Sequence, residues 1–264
     1  MNRKPPLPTL PFAGEEEKKS MQGYTLTLKG TREVADGTRL FIFDKPEGYI
    51  FQAGQYVALT LPKLVAPDPK GPVRSFSIAS SPFESEMHFA MRRGMSGFKQ
   101  TFWQMQPGDT ITITKAVGFF TVPKGDLRPV VFLVGGIGIT PVRSILKQAA
   151  HEGSTRDFTL LYSNRFLKDA AFCEEIKPLP LPHFRCITVL SQSDEVCQPI
   201  NDERGYICVP MITKYIDDIP GKLYYLVGSL PFVEAMEKML IDLGVPKEQR
   251  YKDPFTGLRG VDQK

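Results

Sequence analysis

Two glycine-rich turns in this chain each lead into a helical pattern, and both have the makings of an anion seat. One is Gly135-Gly136-Ile137-Gly138-Ile139-Thr140-Pro141, directly after the apolar run Val130–Val134. Glycines there let the backbone turn sharply and lie close to a ligand. Thr140 can cap the helix that follows, and Pro141 suits its first position, where a missing N–H costs nothing. The free N–H groups and the positive dipole end of such a helix make a seat for a pyrophosphate. The second turn is Gly94-Met95-Ser96-Gly97-Phe98-Lys99, a further phosphate seat by the same argument. Upstream stands Arg74-Ser75-Phe76-Ser77, an arginine in an alternating strand beside hydroxyls, which by itself reads equally as an exposed strand face. The first turn is also compatible with a plain strand-to-helix connection. It is not the GxGxxG fingerprint, and the acid expected about twenty residues on is matched only by Asp157.

The elements that must position these groups fall into two rhythms. From Tyr24 to about Thr114 the pattern is short strands with Gly/Pro turns: Tyr24–Leu28, Leu40–Phe43, Tyr56–Leu61, Val73–Ala79, Met87–Met91 and Thr110–Thr114. That spacing predicts an antiparallel barrel or sandwich. One helix interrupts it, with Ser96 as cap and Phe98, Phe102 and Met105 on one face. After Phe120 strands and helices alternate. The pairs are Val130–Val134 with a helix from Pro141, Phe158–Tyr162 with Lys168–Ile176, Phe184–Leu190 with Pro210–Ile216, and Leu223–Val227 with Pro231–Leu243. Alternation of this kind predicts a parallel sheet with helices on both faces. The expected organisation is a tail over 1–20, a β domain over 21–125 and an α/β domain over 126–264.

Composition narrows the function classes. At 264 residues the chain is long enough for two modest cores. A net charge of +4, with no Lys/Arg run, argues against nucleic acid and suits anionic cofactors or an acidic protein partner. No apolar run approaches the length of a membrane span, and the first twenty residues lack the apolar core of a signal peptide, so a cytoplasmic location is expected. Cys173, Cys186, Cys197 and Cys208 are too dispersed for a metal or iron–sulfur centre and read as reduced thiols. No metal site is expected.

Taken in order, the motifs resemble those of the ferredoxin–NADP reductase-like flavoprotein reductases. That family shows RxYS on a barrel strand, a GxxS-type loop, a GxF element, GGxGxTP, a YSNR-like segment and a CGPxxM-like segment. Here they stand as Arg74–Ser77, Gly94–Ser96, Gly118–Phe119, Gly135–Pro141, Tyr162–Arg165 and Gly228–Met236, so the resemblance runs from about Met21 to Gly257. It implies a β-barrel flavin domain followed by an α/β nicotinamide-nucleotide domain. The implied activity takes hydride from NADPH or NADH onto FAD, or FMN, and passes electrons to an acceptor such as ferredoxin or flavodoxin.

The resemblance also implies roles. Arg74 would pair with the flavin phosphate, on the strand it shares with Ser75. Phe76 would lie against the isoalloxazine or ribityl chain. Ser77, the one residue given a catalytic part, would offer its hydroxyl to the flavin N5 edge. Gly94, Ser96, Gly97 and Phe98 would form the pyrophosphate loop, with Lys99 adding charge and Phe119 walling the ring. Gly135, Gly136, Gly138, Thr140 and Pro141 would cradle the nicotinamide dinucleotide. Ser163, Asn164 and Arg165 would meet a 2′-phosphate, which favours NADP(H), although Arg165 also reads as a solvated loop charge. Gly228, Ser229 and Pro231 would sit by the nicotinamide, and Phe255 or Tyr251 would cover the flavin.

Three departures from the family pattern bear on this. The Tyr of RxYS is Phe76, the Cys of CGPxxM is Val227 with Ser229-Leu230 after Gly228, and Leu258 and further residues follow the C-terminal aromatic segment. The Val227 and Ser229-Leu230 departures keep in view an electron-transfer or regulatory subunit inactive alone; a separate alternative is a reductase that uses free flavin as substrate.

Overall fold

The computed structural model of the chain describes residues 23–192 and 202–255. The tail over 1–20, Cys197 and the residues after Phe255 lie outside them. Two six-stranded sheets carry the architecture.

The first sheet is antiparallel and contains β1 (Tyr24–Ala35), β2 (Thr38–Asp44), β3 (Tyr56–Thr60), β4 (Val73–Ser77), β5 (Glu86–Arg92) and β6 (Thr110–Ile113). Their order is β4-β3-β6-β1-β2-β5. Just past β4 the Ala79 N–H donates to the His88 carbonyl of β5 at 2.8 Å, so the two edges of the sheet meet and the strands wrap into a barrel. Alternation drives this closure. Leu26, Leu28, Phe41, Phe43, Val57, Leu59, Met87, Phe89, Ile111 and Ile113 all point into one core. Helix α1 (Gly97–Gln104) caps that core with Phe98 and Phe102, and the Ser96 side chain caps the helix, as its sequence predicts.

The second sheet is parallel throughout. It contains β7 (Val130–Gly135), β8 (Phe158–Asn164), β9 (Phe184–Leu190), β10 (Asp202–Arg204), β11 (Leu223–Ser229) and β12 (Arg250–Phe255), in the order β10-β9-β8-β7-β11-β12. Its helices are α2 (Ile139–His151), α3 (Cys173–Ile176), α4 (Val209–Tyr215) and α5 (Leu230–Asp242). Strand β7 is apolar on both sides because both sides are covered. Val130, Phe132 and Val134 join α2 and α3 in one core, and Val131 and Leu133 join α4 and α5 in another. The chain runs outward from β7 through β8, β9 and β10, then crosses to β11 on the other side of β7. The switch point therefore lies between the carboxyl ends of β7 and β11, where open α/β sheets bind ligands.

Sequence and structure part in three places. Helix α2 starts at Ile139, behind a 3₁₀ turn over Gly136–Gly138, and Thr140 is not its cap. The buried Thr140 hydroxyl instead donates to the Ile137 carbonyl at 3.1 Å, and Pro141 lies inside the first turn. The helix expected over Lys168–Ile176 is broken. A 3₁₀ turn at Leu167–Asp169 precedes α3, and Phe172 between them has a left-handed backbone with φ 60°. Edge strands β10 and β12 carry no apolar alternation and were not anticipated.

A polar clamp joins the two sheets. Arg143 of α2 is 2 % exposed and donates to the Ala79 carbonyl at 2.5 Å and to Glu84 at 3.3 Å, both on the barrel side. It also pairs with Glu175 at 2.5 Å. Ser144 donates to the Ser80 carbonyl at 2.6 Å, and Ser81 donates to the Ser144 carbonyl at 2.7 Å. Beside the clamp Gly54, at φ +96°, comes so close that a Cβ there would stand 2.0 Å from the Phe120 carbonyl oxygen.

Candidate functional site

The glycine turn after β7 is held tightly against the end of β11. A Cβ on Gly138 would stand 2.8 Å from the Val227 carbonyl oxygen, and one on Gly135 would meet the Phe232 ring at 3.1 Å. Gly136 adopts φ +53°, the left-handed region that glycine enters without strain. Ser229 caps α5 by accepting the Phe232 N–H at 3.4 Å, and Pro231 opens that helix. The structure thus gathers Gly135, Gly136, Gly138, Gly228 and Ser229 at the switch point. Ser163 lies alongside, in register with Gly135 on one side and Val189 on the other. Asn164 is buried, its carbonyl accepting the Ser191 N–H at 3.0 Å, and Arg165 is exposed at the strand end.

Facing this edge across the domain junction is a cleft of about 510 Å³ lined by Tyr56, Val117–Phe120 and Arg250–Asp253. At its margin the buried Ser77 hydroxyl donates to the Asp253 carboxylate at 3.4 Å, so β4 of the barrel and β12 of the parallel sheet touch here. Burial pushes the Asp253 carboxyl above the usual carboxylate range, and the Ser77 hydrogen bond offsets this in part. Phe119 is 93 % exposed. Tyr251, Asp253 and Phe255 alternate onto one face of β12. Tyr251 stacks on Tyr225 with ring centroids 4.6 Å apart, and Phe255, in register with Ser229, packs on the core shared with α2.

The third part is the α1 seat. Arg74 and Phe76 share a face of β4. The half-buried Phe76 ring packs on Phe98 and Phe102, with centroids 5.9 and 5.3 Å away, and the Arg74 guanidinium lies over Phe98 at 5.0 Å. Ser75 is exposed on the opposite face. Arg74 also meets a carboxylate: its Nη2 donates to Asp68 Oδ1 at 2.6 Å. The other Asp68 oxygen accepts the Phe98 N–H, at the start of α1, at 3.0 Å. The Lys99 stem folds back over Gly94.

A flat heteroaromatic with an anionic tail fits this donor set. The cleft has a hydroxyl at its margin and aromatic walls, and the donors of the α1 seat hold an anionic group of the chain itself, the Asp68 carboxylate. Sequence reasoning missed Asp68, Asp253, Tyr56 and Phe232. None of the four carries a local signal of its place at the site.

Residues 132–238 match the family described as "Oxidoreductase NAD-binding domain". The reductase component of propane 2-monooxygenase from Rhodococcus jostii is 30 % identical over 219 residues, covering 80 % of this chain. The chain spans 57 % of that protein's length. Among solved structures, a ferredoxin–NADP⁺ reductase from Neisseria gonorrhoeae with bound FAD and NADP superposes with TM-score 0.74 at 22 % identity, covering 88 % of this chain and 98 % of that one. A cytochrome P450 reductase from Amycolatopsis gives TM-score 0.75 at 24 % identity, over 89 % of this chain and 70 % of that one. Residues 132–238 belong to that NAD-binding family, and the chain as a whole has the fold of the ferredoxin–NADP reductase-like FAD/NAD-binding oxidoreductases. The family accounts for an antiparallel barrel joined to a parallel α/β sheet. Among the described residues no helix is long and apolar enough to cross a membrane, and no group of His, Cys, Asp or Glu could hold a metal ion.

Proposed function

We propose that the chain is an NAD(P)H-dependent flavoprotein reductase, with a flavin on the barrel, over 21–125, and the nicotinamide nucleotide on the parallel sheet, over 126–264. The observation that carries this reading is the Ser77–Asp253 contact, which puts the RxYS-type strand and the carboxyl edge of the parallel sheet at one cleft. A bound flavin supplies the acceptor for hydride from a reduced nicotinamide and the store from which electrons leave. The chain's own part is positioning. Gly135, Gly136 and Gly138 bring bare backbone to the dinucleotide, and the close approach of Gly138 to Val227 holds that turn against the end of β11. Arg74 and the α1 amides hold the flavin phosphate. Ser77 stands at the ring edge with its hydroxyl proton held by the buried Asp253 carboxyl, so it offers the ring its oxygen, and gives up the proton only by breaking that bond. Phe76 and the exposed Phe119 exclude water around the ring, and Phe255, packed on the α2 core, covers it only by turning outward. Holding two rings at contact supplies most of the rate, because proximity alone can remove about 7–11 kcal/mol of a barrier.

Ser163 and the exposed Arg165, at the strand end beside Gly135, support NADPH as the donor. The acceptor in this reading is a ferredoxin-type protein or an oxygenase component; the name of the Rhodococcus relative supports the second. A second reading, in which flavin is a diffusible substrate, is favoured by Asp68, which holds the phosphate seat. Reconstitution with FAD, gel filtration and anaerobic addition of NADPH or NADH test both. Retained yellow colour that bleaches supports the resident-flavin reductase. Colour lost on the column, with turnover of added flavin, supports the second reading. Retained colour that neither nicotinamide bleaches refutes both.

A further inference from the structure

The connection between β3 and β4, residues 61–72, reads LPKLVAPDPKGP and packs across the N-terminus of α1. Four prolines stiffen it. Its ends are tied by the Leu61 N–H to the Pro72 carbonyl at 3.0 Å, and its middle by the Val65 N–H to the Thr101 hydroxyl at 2.9 Å. It lies so close to the helix that a Cβ on Gly97 would stand 2.2 Å from the Ala66 carbonyl oxygen and 2.6 Å from that of Pro67. This approach brings the Asp68 side chain, 2 % exposed, to the donors that face an anion here. Arg74 Nη2 and the Phe98 N–H donate to it, as does the Lys70 N–H at 2.9 Å, and the Ser96 hydroxyl also bonds it. Burial opposes ionisation of this carboxyl, but those donors outweigh it and hold it down to about 2, so it is an anion throughout the neutral range.

We propose that Asp68 is a built-in rival for the flavin phosphate, occupying the Arg74–α1 seat so that a phosphate-bearing flavin binds only by displacing it. This rests on the flavoprotein reading above. The same guanidinium and helix amide cannot serve Asp68 and a phosphate together, so part of the phosphate's binding energy goes into expelling the carboxylate. The consequence is a site that gains little from the phosphate. Riboflavin, which has none, should bind nearly as well as FMN or FAD.

The test measures dissociation constants for riboflavin, FMN and FAD by flavin fluorescence, in the wild type and in Asp68→Asn and Asp68→Ser. A charge-assisted hydrogen bond contributes about 1.5–3 kcal/mol, so removing the rival should tighten FMN and FAD by about 10- to 100-fold. Riboflavin affinity should stay the same. Asn keeps the side-chain volume and Ser vacates the seat, so agreement between the two excludes a packing artefact. Inorganic pyrophosphate gives a readout independent of the flavin ring: it should raise the melting temperature of both variants and leave the wild type unchanged. Unchanged or weaker FMN and FAD binding in both variants, with riboflavin still bound, overturns the proposal. If no protein binds any flavin, the flavoprotein reading fails, and the pyrophosphate arm alone decides whether Asp68 guards an anion seat.

Discussion

Arg143 offers the sharpest test of how the two sheets are held in register. Its guanidinium is almost fully buried and meets Glu84 from the barrel side, Glu175 from α3 and the Ala79 carbonyl, while Lys147 reaches Glu84 at 2.6 Å and Glu175 at 3.1 Å. Replacing Arg143 with Met keeps much of the volume but leaves Glu84 and Glu175 with Lys147 and the more exposed Arg32, 3.8 Å from Glu175, and strips the Ala79 carbonyl of its donor. Breaking a buried pair by removing one partner costs about 3–5 kcal/mol. For a chain of this size, at about 2–4 °C per kcal/mol, the melting temperature should fall by about 6–20 °C.

The pH dependence gives this prediction its sign. Burial opposes ionisation of Glu84 and Glu175, but Arg143 and Lys147 outweigh it, so both carboxyls titrate below the ordinary 4.5. A depressed carboxyl contributes stability that is present above the ordinary value and is lost as pH falls through the lowered one. Arg143→Met should therefore lose most at pH 7, and the two proteins should converge in acid. Urea unfolding followed by circular dichroism in a series from pH 7 down to about pH 2, through the range where a depressed carboxyl is protonated, measures this. A loss under about 1 kcal/mol, the size of a surface pair, or a loss that does not shrink in acid, would refute the reasoning.

Three further outcomes follow from single residues. Asp253 has a raised carboxyl, which stabilises the fold below its ordinary value and loses that contribution as pH rises through the raised one. Asp253→Asn should thus melt higher than the wild type at pH 8 and match it in acid, and the reverse order in thermal melts would contradict its burial. Gly54→Ala should cost about 1–3 kcal/mol from its φ of +96° alone, to which the clash with the Phe120 carbonyl adds. Gly37→Ala, at φ +61° with open space around it, should cost only about 1–2 kcal/mol, and equal losses would remove the close-approach argument. Arg165→Ala should raise KM for NADPH and leave that for NADH unchanged, so equal effects in steady-state assays would remove the 2′-phosphate assignment.

The fold was legible where residue type repeats with the period of an element. The alternating run Leu40–Phe43 became barrel core, and the two-sided apolar run Val130–Val134 became the central parallel strand. Among the glycines of 135–138, Gly138 is required by its approach to the Val227 carbonyl and Gly136 by its φ of +53°. What escaped depends on partners distant in the chain. Asp68 looks like a turn residue between two prolines, and nothing local says that it meets Arg74 and α1. Asp253 becomes special only when β12 docks beside β4, 176 residues away. The break at Phe172 replaced a helix because Phe172, Cys173 and Ile176 all go into the α2 core, a tertiary gain that overrides local periodicity. Strands β10 and β12 form at sheet edges, where pairing with a neighbour substitutes for an apolar pattern.

In the proposed reductase, hydride passes directly between two rings held at the Ser77–Asp253 cleft. Single-turnover anaerobic reduction of the flavin-loaded protein, run with NADPH and with NADPH deuterated at C4, tests it most directly. Loss of flavin absorbance should be distinctly slower with the deuterated donor. Absorbance that persists with both donors, or reduction at one rate regardless of deuterium with no preceding slow step, would contradict it.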